Sequence, residues 1–211
     1  MQNKGFWLVV EGIDGAGKTS AIQTIEEFFK SHGMAFLIMR EPGGTPLGEA
    51  IRTIFKSSTF EIEGLAQVLL MYASRVQLLQ TVILPSLDKG CSIILDRHEL
   101  STFAYQAGAD GVDMQTIENI SKAVMPTRKP DLTLYLSVRP EVSQSRIQLR
   151  GEGDHFDQNP QDYFVRILKN YELRIHDYPN VISIDANQDF VKVQSDIQTE
   201  LQKWFARPKH D

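Results

Sequence analysis

The stretch that decides the fold is residues 12–19, Gly12-Ile13-Asp14-Gly15-Ala16-Gly17-Lys18-Thr19. It matches the pattern G-x-x-x-x-G-K-[ST], in which glycines let several backbone N–H groups point at one anion. The apolar run at residues 6–10 predicts a buried strand, and residues 18–32 predict a helix whose positive dipole end faces the loop. A glycine-rich turn that matches by coincidence is the alternative, but these flanks favour a phosphate site. We expect it to bind a nucleoside triphosphate with Mg²⁺, with Lys18 on the terminal phosphates and Thr19 on the metal.

Four further short apolar runs predict strands, at residues 35–39, 92–95, 132–138 and 181–184. Near-continuous apolar strands separated by helix-length segments are typical of a parallel sheet with helices on both faces. Such an α/β fold has three layers and binds its ligands beyond the carboxyl ends of the strands. In the sequence, the charged residues that fall at those ends are Asp14, Arg40, Asp96 and Arg97.

Helix signals fill the segments between the predicted strands. Gly33 is expected to end the first helix, and Thr45-Pro46 to open the second with a cap and a first-turn proline. Apolar residues at helical spacing predict a long helix from about residue 65 to Lys89, which Pro85 should kink or divide. Further helices are predicted from Pro140 to about residue 149, over 161–176 and over 189–205. Residues 151–160 have the composition of a mobile loop.

Composition and charge restrict the class of protein. The chain has 211 residues, 42% hydrophobic and 23% charged, which predicts one α/β domain over residues 1–211. The formal net charge of −5 gives a nucleic acid or an anionic membrane no general attraction. A single cysteine, Cys91, excludes an intramolecular disulfide or a cysteine metal cluster, and we expect it to be buried. With no signal peptide and no apolar stretch of membrane-spanning length expected, a cytoplasmic location is the default.

Several other charged residues are candidates for the site. Asp96, at the end of an apolar strand, predicts a ligand to a Mg²⁺-bound water, with Arg97 holding a second phosphate; a surface ion pair is the alternative. Arg146 and Arg150 lie four residues apart, which indicates an anion nearby or a solvated helix face. Taken alone, Arg52 and Arg75 are more simply explained as solvated residues. The histidines show neither a zinc pattern nor a catalytic triad.

Combined in order along nearly the whole chain, these motifs resemble the bacterial thymidylate kinases. The segments that carry the resemblance are Glu11-Gly12-x-Asp14-Gly15-x-Gly17-Lys18-Thr19, Arg40-Glu41-Pro42-Gly43-Gly44-Thr45, Tyr72-Ala73-Ser74-Arg75, Asp96-Arg97-x-x-x-Ser101-Thr102-x-Ala104-Tyr105-Gln106 and Pro130-Asp131-Leu132-Thr133-x-Tyr135-Leu136. The phosphate loop alone is shared by many enzymes, whereas the ordered combination is highly specific. The resemblance implies a P-loop kinase fold that phosphorylates dTMP to dTDP with ATP and Mg²⁺ in dTTP biosynthesis. It also implies a homodimer and a short lid over residues 151–159.

The resemblance implies roles for individual residues. The residues it assigns to catalysis are Lys18, Asp14, Arg97, Arg150 and Arg146. Residues 12–19 and Arg150, stacked on adenine, would bind ATP, while Thr19 and Asp96 would serve the metal. The substrate would contact Asp14, Arg40, Pro42, Arg52, Met71, Arg75, Arg97, Ser101, Thr102, Tyr105 and Gln106. Arg75 would donate to thymine O4, Tyr105 would crowd the sugar 2′ position, and a cis peptide bond is expected before Pro42.

Two departures from the family pattern matter. Relatives usually have phenylalanine at the position of Met71, so weaker stacking on the base and looser base selection are expected. Because Ala16 leaves the loop without an arginine, transition-state charge must come from lid arginines, and one frequent position of these is occupied by His155. We therefore assign this role to Arg146 and Arg150.

Three rival functions are alternatives to this interpretation. The nearest is a kinase for another small acceptor, such as a different nucleoside monophosphate; Arg97 and Arg75 favour a nucleotide over an uncharged acceptor. A nucleotide-dependent switch is disfavoured because the chain lacks an Asn-Lys-x-Asp guanine-reading motif. A regulatory protein with a dead site is disfavoured by the intact Lys18, Thr19 and Asp96.

Overall fold

In the computed structural model, which describes residues 4–57, 60–150 and 161–207, five parallel strands form one sheet in the order β2-β3-β1-β4-β5. The strands are β1 (Trp7–Glu11), β2 (Phe36–Arg40), β3 (Ser92–Asp96), β4 (Leu132–Ser137) and β5 (Val181–Asp185). All five predicted strands are confirmed, with ends that differ by a residue. The register places Asp96 beside both Val10 and Arg40, so the carboxyl ends of three strands meet at one edge of the sheet.

Helices cover both faces of this sheet. They are α1 (Lys18–Ser31), α2 (Pro46–Ser57), α3 (Gly64–Leu78), α4 (Leu84–Asp88), α5 (Glu99–Thr102), α6 (Met114–Val124), α7 (Pro140–Arg150), α8 (Gln161–Arg174) and α9 (Phe190–Phe205). On β1, Leu8 and Val10 pack into the core that includes α1 and α9, whereas Trp7 and Val9 pack against α3 and α4. This alternation confirms the three-layer α/β fold, because each strand buries side chains on both faces.

The predicted long helix is divided near Pro85. A π-helical turn, Leu79–Ile83, separates α3 from α4, and the Leu84 N–H bonds to the Leu79 carbonyl. Pro85 has no N–H to donate, so the ladder of helical hydrogen bonds is broken there. A π-helical turn is one way in which a helix accommodates such a break.

Three expectations need correction. The helix α6 was not predicted, although Asp113 caps it by accepting a 2.9 Å hydrogen bond from the Thr116 N–H. The expectation about membrane-spanning length was wrong, because the 25-residue helical run Gly64–Asp88 is long and apolar enough by length and composition. That run packs into the domain through buried residues such as Leu78. Cys91 is half-buried rather than buried.

Candidate active site

The phosphate loop between β1 and α1 depends on glycine at several positions. Gly12, Gly15 and Gly17 have φ angles of 144°, 75° and 96°, a region that side chains disfavour. A Cβ atom on Gly15 would also lie 2.5 Å from the Ser143 carbonyl oxygen. The loop thus curls tightly against α7 and delivers the chain into the N-terminus of α1, as the motif predicts.

Lys18 is buried at the first position of α1. Its Nζ donates hydrogen bonds of 3.1 Å to the carbonyls of Gly12 and Ile13 and lies 3.7 Å from Asp14 Oδ1. Burial lowers the pKa of Lys18, and the Arg97 cation lowers it further, while Asp14 opposes them. Phosphate oxygens are stronger acceptors than neutral carbonyls, so this ammonium group can exchange the two carbonyls for an anion bound in the loop.

Arg97 joins the phosphate loop to the residues that follow β3. Its backbone adopts a φ of 66°, which turns the side chain back towards the loop. The guanidinium donates to Asp14 Oδ1 at 2.6 Å, to the Gly12 carbonyl at 3.0 Å, and to the hydroxyls of Ser101 and Tyr105 at 3.2 Å. These bonds hold the Arg97 guanidinium between the phosphate loop and the segment that follows β3.

Asp14 is the carboxylate that these cations share. Burial favours its neutral form, but Arg97 and Lys18 outweigh that effect and hold the pKa of Asp14 well below its usual range. The Tyr105 hydroxyl donates to its other oxygen at 3.2 Å. Asp14 therefore stays ionised at neutral pH and fixes the spacing of the two cations.

Asp96 and Thr19 are the residues predicted to serve Mg²⁺. Asp96 Oδ1 is buried without a partner in the described part of the chain, and Thr19 is exposed in the first turn of α1. The described residues contain no group of three acidic, histidine or cysteine side chains able to hold a metal ion by themselves. The roles of Asp96 and Thr19 towards Mg²⁺ stay predictions.

Arg75 on α3 is buried, which corrects its interpretation as a solvated residue when considered alone. Its Nε donates to Glu41 Oε2 at 2.6 Å, and Nη2 donates to the His98 carbonyl and to Thr102 Oγ1 at 3.0 and 2.9 Å. Burial disfavours the charge, but Glu41 outweighs it and raises the pKa of Arg75. Nη1 is buried without a partner among the described residues, so one donor of a rigid guanidinium is left for a ligand.

A cleft of about 830 Å³, including its open mouth, lies between α2, α3 and the segment after β3. Its lining residues are Asp14, Glu41, Pro42, Arg52, Phe55, Lys56, Gln67, Met71, Arg75, Arg97, His98, Ser101, Thr102, Tyr105 and Gln106. The structure thus brings together all but one of the predicted substrate residues. The exception is Arg40, which is exposed and donates to Glu49 Oε2 at 3.0 Å, so its predicted role on the acceptor phosphate stays a prediction.

The turn after β2 forms one wall of this cleft. The Glu41-Pro42 peptide bond is cis, as expected. Arg52 on α2 donates to the Pro42 carbonyl at 3.3 Å and is half-buried. Burial and the nearby Arg40 lower the pKa of Arg52, so this cation would gain from an anionic ligand.

Glu11 is a fully buried residue at the end of β1 whose role was not predicted. Its carboxylate accepts hydrogen bonds from the backbone N–H groups of His98 and Ser101, at 2.8 and 3.2 Å. It also accepts from the hydroxyls of Ser101 and Tyr171, at 2.6 and 2.9 Å. Glu11 therefore positions the segment that carries Arg97. The feature of the sequence that could have indicated this role is a carboxylate at the end of an apolar strand.

Only part of the region predicted to form the lid lies within the described residues. Arg146 on α7 lies at hydrogen-bond distance, 3.5 Å, from the Gly15 carbonyl and thus borders the phosphate loop. The side chain of Arg150, the predicted lid over residues 151–159 and His155 within it lie outside the described residues. Their roles stay predictions.

The sequence is similar to known proteins over most of its length. A family model described as thymidylate kinase matches residues 10–197. A thymidylate kinase of Legionella pneumophila (strain Corby) is 38% identical over 203 residues, covering 95% of this chain and 96% of the relative. Thymidylate kinases of Pseudoalteromonas translucida (strain TAC 125) and Colwellia psychrerythraea (strain 34H / ATCC BAA-681) are 39% and 40% identical. Those matches cover 96% and 92% of this chain and 98% and 92% of the relatives.

Proposed function

The chain belongs to the thymidylate kinase family, and we propose that its cleft binds dTMP facing an ATP held by residues 12–19. The enzyme is a nucleoside monophosphate kinase that transfers the γ-phosphoryl group of ATP to dTMP and yields dTDP and ADP. The observation that carries the site assignment is the position of Asp14. It belongs to the phosphate loop, lines the cleft and binds Arg97, so the two nucleotide sites meet at one carboxylate.

Binding and neutralising charge are the chemistry that these residues supply. Lys18 binds the terminal phosphates of ATP, and Arg97 and Arg52 bind the acceptor phosphate from the cleft side. That phosphate is already ionised at neutral pH, so no strong general base is required, and catalysis rests on alignment and electrostatics. Mg²⁺, which the Thr19 hydroxyl and Asp96 would hold with the ATP phosphates, supplies further charge neutralisation when bound.

Base and sugar recognition is assigned to the opposite end of the cleft. The unpartnered Nη1 of Arg75 supplies a donor for thymine O4, and Met71 covers the ring. Tyr105, held by Arg97 and Asp14, occupies the space beside the sugar 2′ position and so disfavours ribonucleotides.

Closure over the phosphates is assigned to the segment after α7. Arg146 already borders the phosphate loop, and Arg150 with residues 151–159 would complete a lid that excludes water from the reacting phosphoryl group.

A substrate panel tests the proposal. ADP release is measured with ATP, Mg²⁺ and, in turn, dTMP, dUMP, dCMP, dGMP and AMP, with a reaction lacking acceptor as the control for ATP hydrolysis. We expect the highest kcat/KM with dTMP. A preference for AMP or dGMP would reassign the cleft to another nucleotide, and acceptor-independent turnover would contradict the kinase assignment.

The oligomeric state and the cellular location are also proposed. We infer a cytoplasmic homodimer without nucleic-acid or membrane partners, which contacts its second copy through α3. Leu65 and Leu69 lie one helical turn apart on α3 and are 47% and 53% exposed, a suitable apolar surface. Light scattering should give twice the chain mass for the wild type and the chain mass for Leu69→Glu. A monomeric wild type would refute the dimer.

A further inference from the structure

A chain of hydrogen bonds between two side-chain amides borders the base end of the cleft. Gln67 on α3 donates from Nε2 to the Ile62 carbonyl at 2.8 Å, and its Oε1 accepts from Gln106 Nε2 at 3.2 Å. Gln106 Nε2 also donates to Asp110 Oδ2 at 3.3 Å. Both glutamines line the cleft, and Gln106 is 4% exposed.

The groups at the two ends of this row of hydrogen bonds determine the orientation of both amides. A backbone carbonyl can only accept, so the NH₂ of Gln67 must face Ile62 and its oxygen must face Gln106. The Gln67 oxygen can likewise only accept, so the NH₂ of Gln106 must face Gln67, and it also donates to Asp110 Oδ2. The carbonyl oxygen Oε1 of Gln106 receives no hydrogen bond within the described part of the chain, and it is the amide atom left for the cleft.

We propose that Gln67 is a positioning residue for base selection, because it holds Gln106 with an acceptor rather than a donor towards the base. Thymine and uracil carry a hydrogen on N3 and can donate it to Gln106 Oε1, whereas cytosine N3 presents a lone pair and would be repelled. The inference rests on the proposed binding of dTMP in this cleft. It adds to the selection by Arg75, which reads a different atom of the base.

Removing the acceptor on Gln67 weakens this constraint, because among the described residues only the 3.3 Å bond to Asp110 Oδ2 then holds the Gln106 amide. The amide can rotate more readily and present its NH₂ to the cleft, where it would pair with cytosine N3 and meet the N3–H of thymine donor to donor. Selectivity for dTMP over dCMP should therefore fall. The phosphate loop does not contact Gln67, Gln106 or Asp110, so the affinity for ATP should not change.

The test uses full-length protein with two substitutions at one position. Gln67→Met keeps the length of the side chain and removes both polar atoms. Gln67→Glu keeps an oxygen towards Gln106 but loses the donor to the Ile62 carbonyl. Gln115→Met, an exposed position on α6, is the matched control. For each protein, kcat and KM are measured with dTMP and with dCMP, together with the Kd for ATP and the Tm.

For Gln67→Met we expect about a tenfold rise in KM for dTMP at nearly unchanged kcat, and about a tenfold fall in the dTMP-to-dCMP ratio of kcat/KM. Gln67→Glu should recover most of that ratio, and Gln115→Met should match the wild type. An unchanged ratio in Gln67→Met overturns the inference, as does an equal loss with both nucleotides or a weaker ATP Kd. A wild type inactive on dTMP would refute the proposed function instead.

Discussion

Replacing Glu41 by glutamine would test whether the ion pair with Arg75 holds the base end of the cleft together. Both side chains are nearly fully buried, and Glu41 Oε2 lies 2.6 Å from Arg75 Nε. Its other oxygen, Oε1, contacts His98 Nδ1 at 3.0 Å. Glutamine keeps the size and one acceptor oxygen of the side chain, so the substitution removes chiefly the negative charge.

The expected cost follows from the burial of the pair. Removing one charge of a buried ion pair leaves the other unneutralised in a low-dielectric site and costs about 3–5 kcal/mol. Because glutamine can still accept from Arg75, we expect the lower end of this range, about 3 kcal/mol. For a chain of this length, that corresponds to a fall in Tm of roughly 6–12 °C.

The assay is urea unfolding at neutral pH, with the partly exposed pair of Glu26 and Lys30 as the control. Those groups lie 2.7 Å apart on one turn of α1 with 30% and 64% of their side chains exposed, so Glu26→Gln should cost only about 0.5 kcal/mol. The double variant Glu41→Gln/Arg75→Met should be less destabilised than the sum of its single variants. A cost for Glu41→Gln similar to that of Glu26→Gln would refute the reasoning.

The pH dependence supplies a second check on the same variant. Burial favours the neutral form of Glu41, but Arg75 and His98 outweigh it and hold the pKa of Glu41 below its ordinary value. A depressed carboxyl pKa stabilises the folded state fully above the unfolded-state pKa of about 4.3. That contribution is lost as the pH falls towards the folded-state pKa. The stability gap between wild type and Glu41→Gln should therefore be constant from pH 8 to about 5 and narrow below about pH 4.

Three further predictions concern catalysis. Lys18→Ala and Arg97→Ala should each lower kcat/KM for dTMP by at least about 100-fold, because each removes a cation facing a phosphate; near-normal turnover in either would contradict the scheme. Met71→Phe should sharpen discrimination between dTMP and dUMP in a competition assay, since an aromatic ring stacks on the base better than a thioether; equal discrimination in both proteins would remove the proposed effect of methionine. Arg150→Ala should lower kcat strongly while His155→Ala changes it little, because neutral histidine supplies less charge at pH 7; the reverse order of effects would transfer the lid role to His155.

Local patterns were sufficient for much of the fold. The five strands are runs of consecutive apolar residues, and the phosphate loop is a motif of fixed spacing, so each can be recognised within a window of a few residues. The helix α6 was missed even though its signal was local, because Asp113 was not read as a cap. Arg97 was predicted to face the site because it directly follows a strand that ends at the ligand edge of the sheet.

The sequence by itself determined the class of fold, the triphosphate loop and the set of residues available to a second nucleotide. Only the tertiary structure decided which of them are held in place and by what. Glu41 and Arg75 lie 34 positions apart, Gln67 and Gln106 lie 39 apart, and Glu11 and Ser101 lie 90 apart. Propensity and periodicity describe neighbours within a few residues, whereas these partners meet because the sheet and the helices that flank it bring distant segments together. Burial then turns their polar contacts into constraints on geometry, because an unpaired charge or amide has no water to replace its partner.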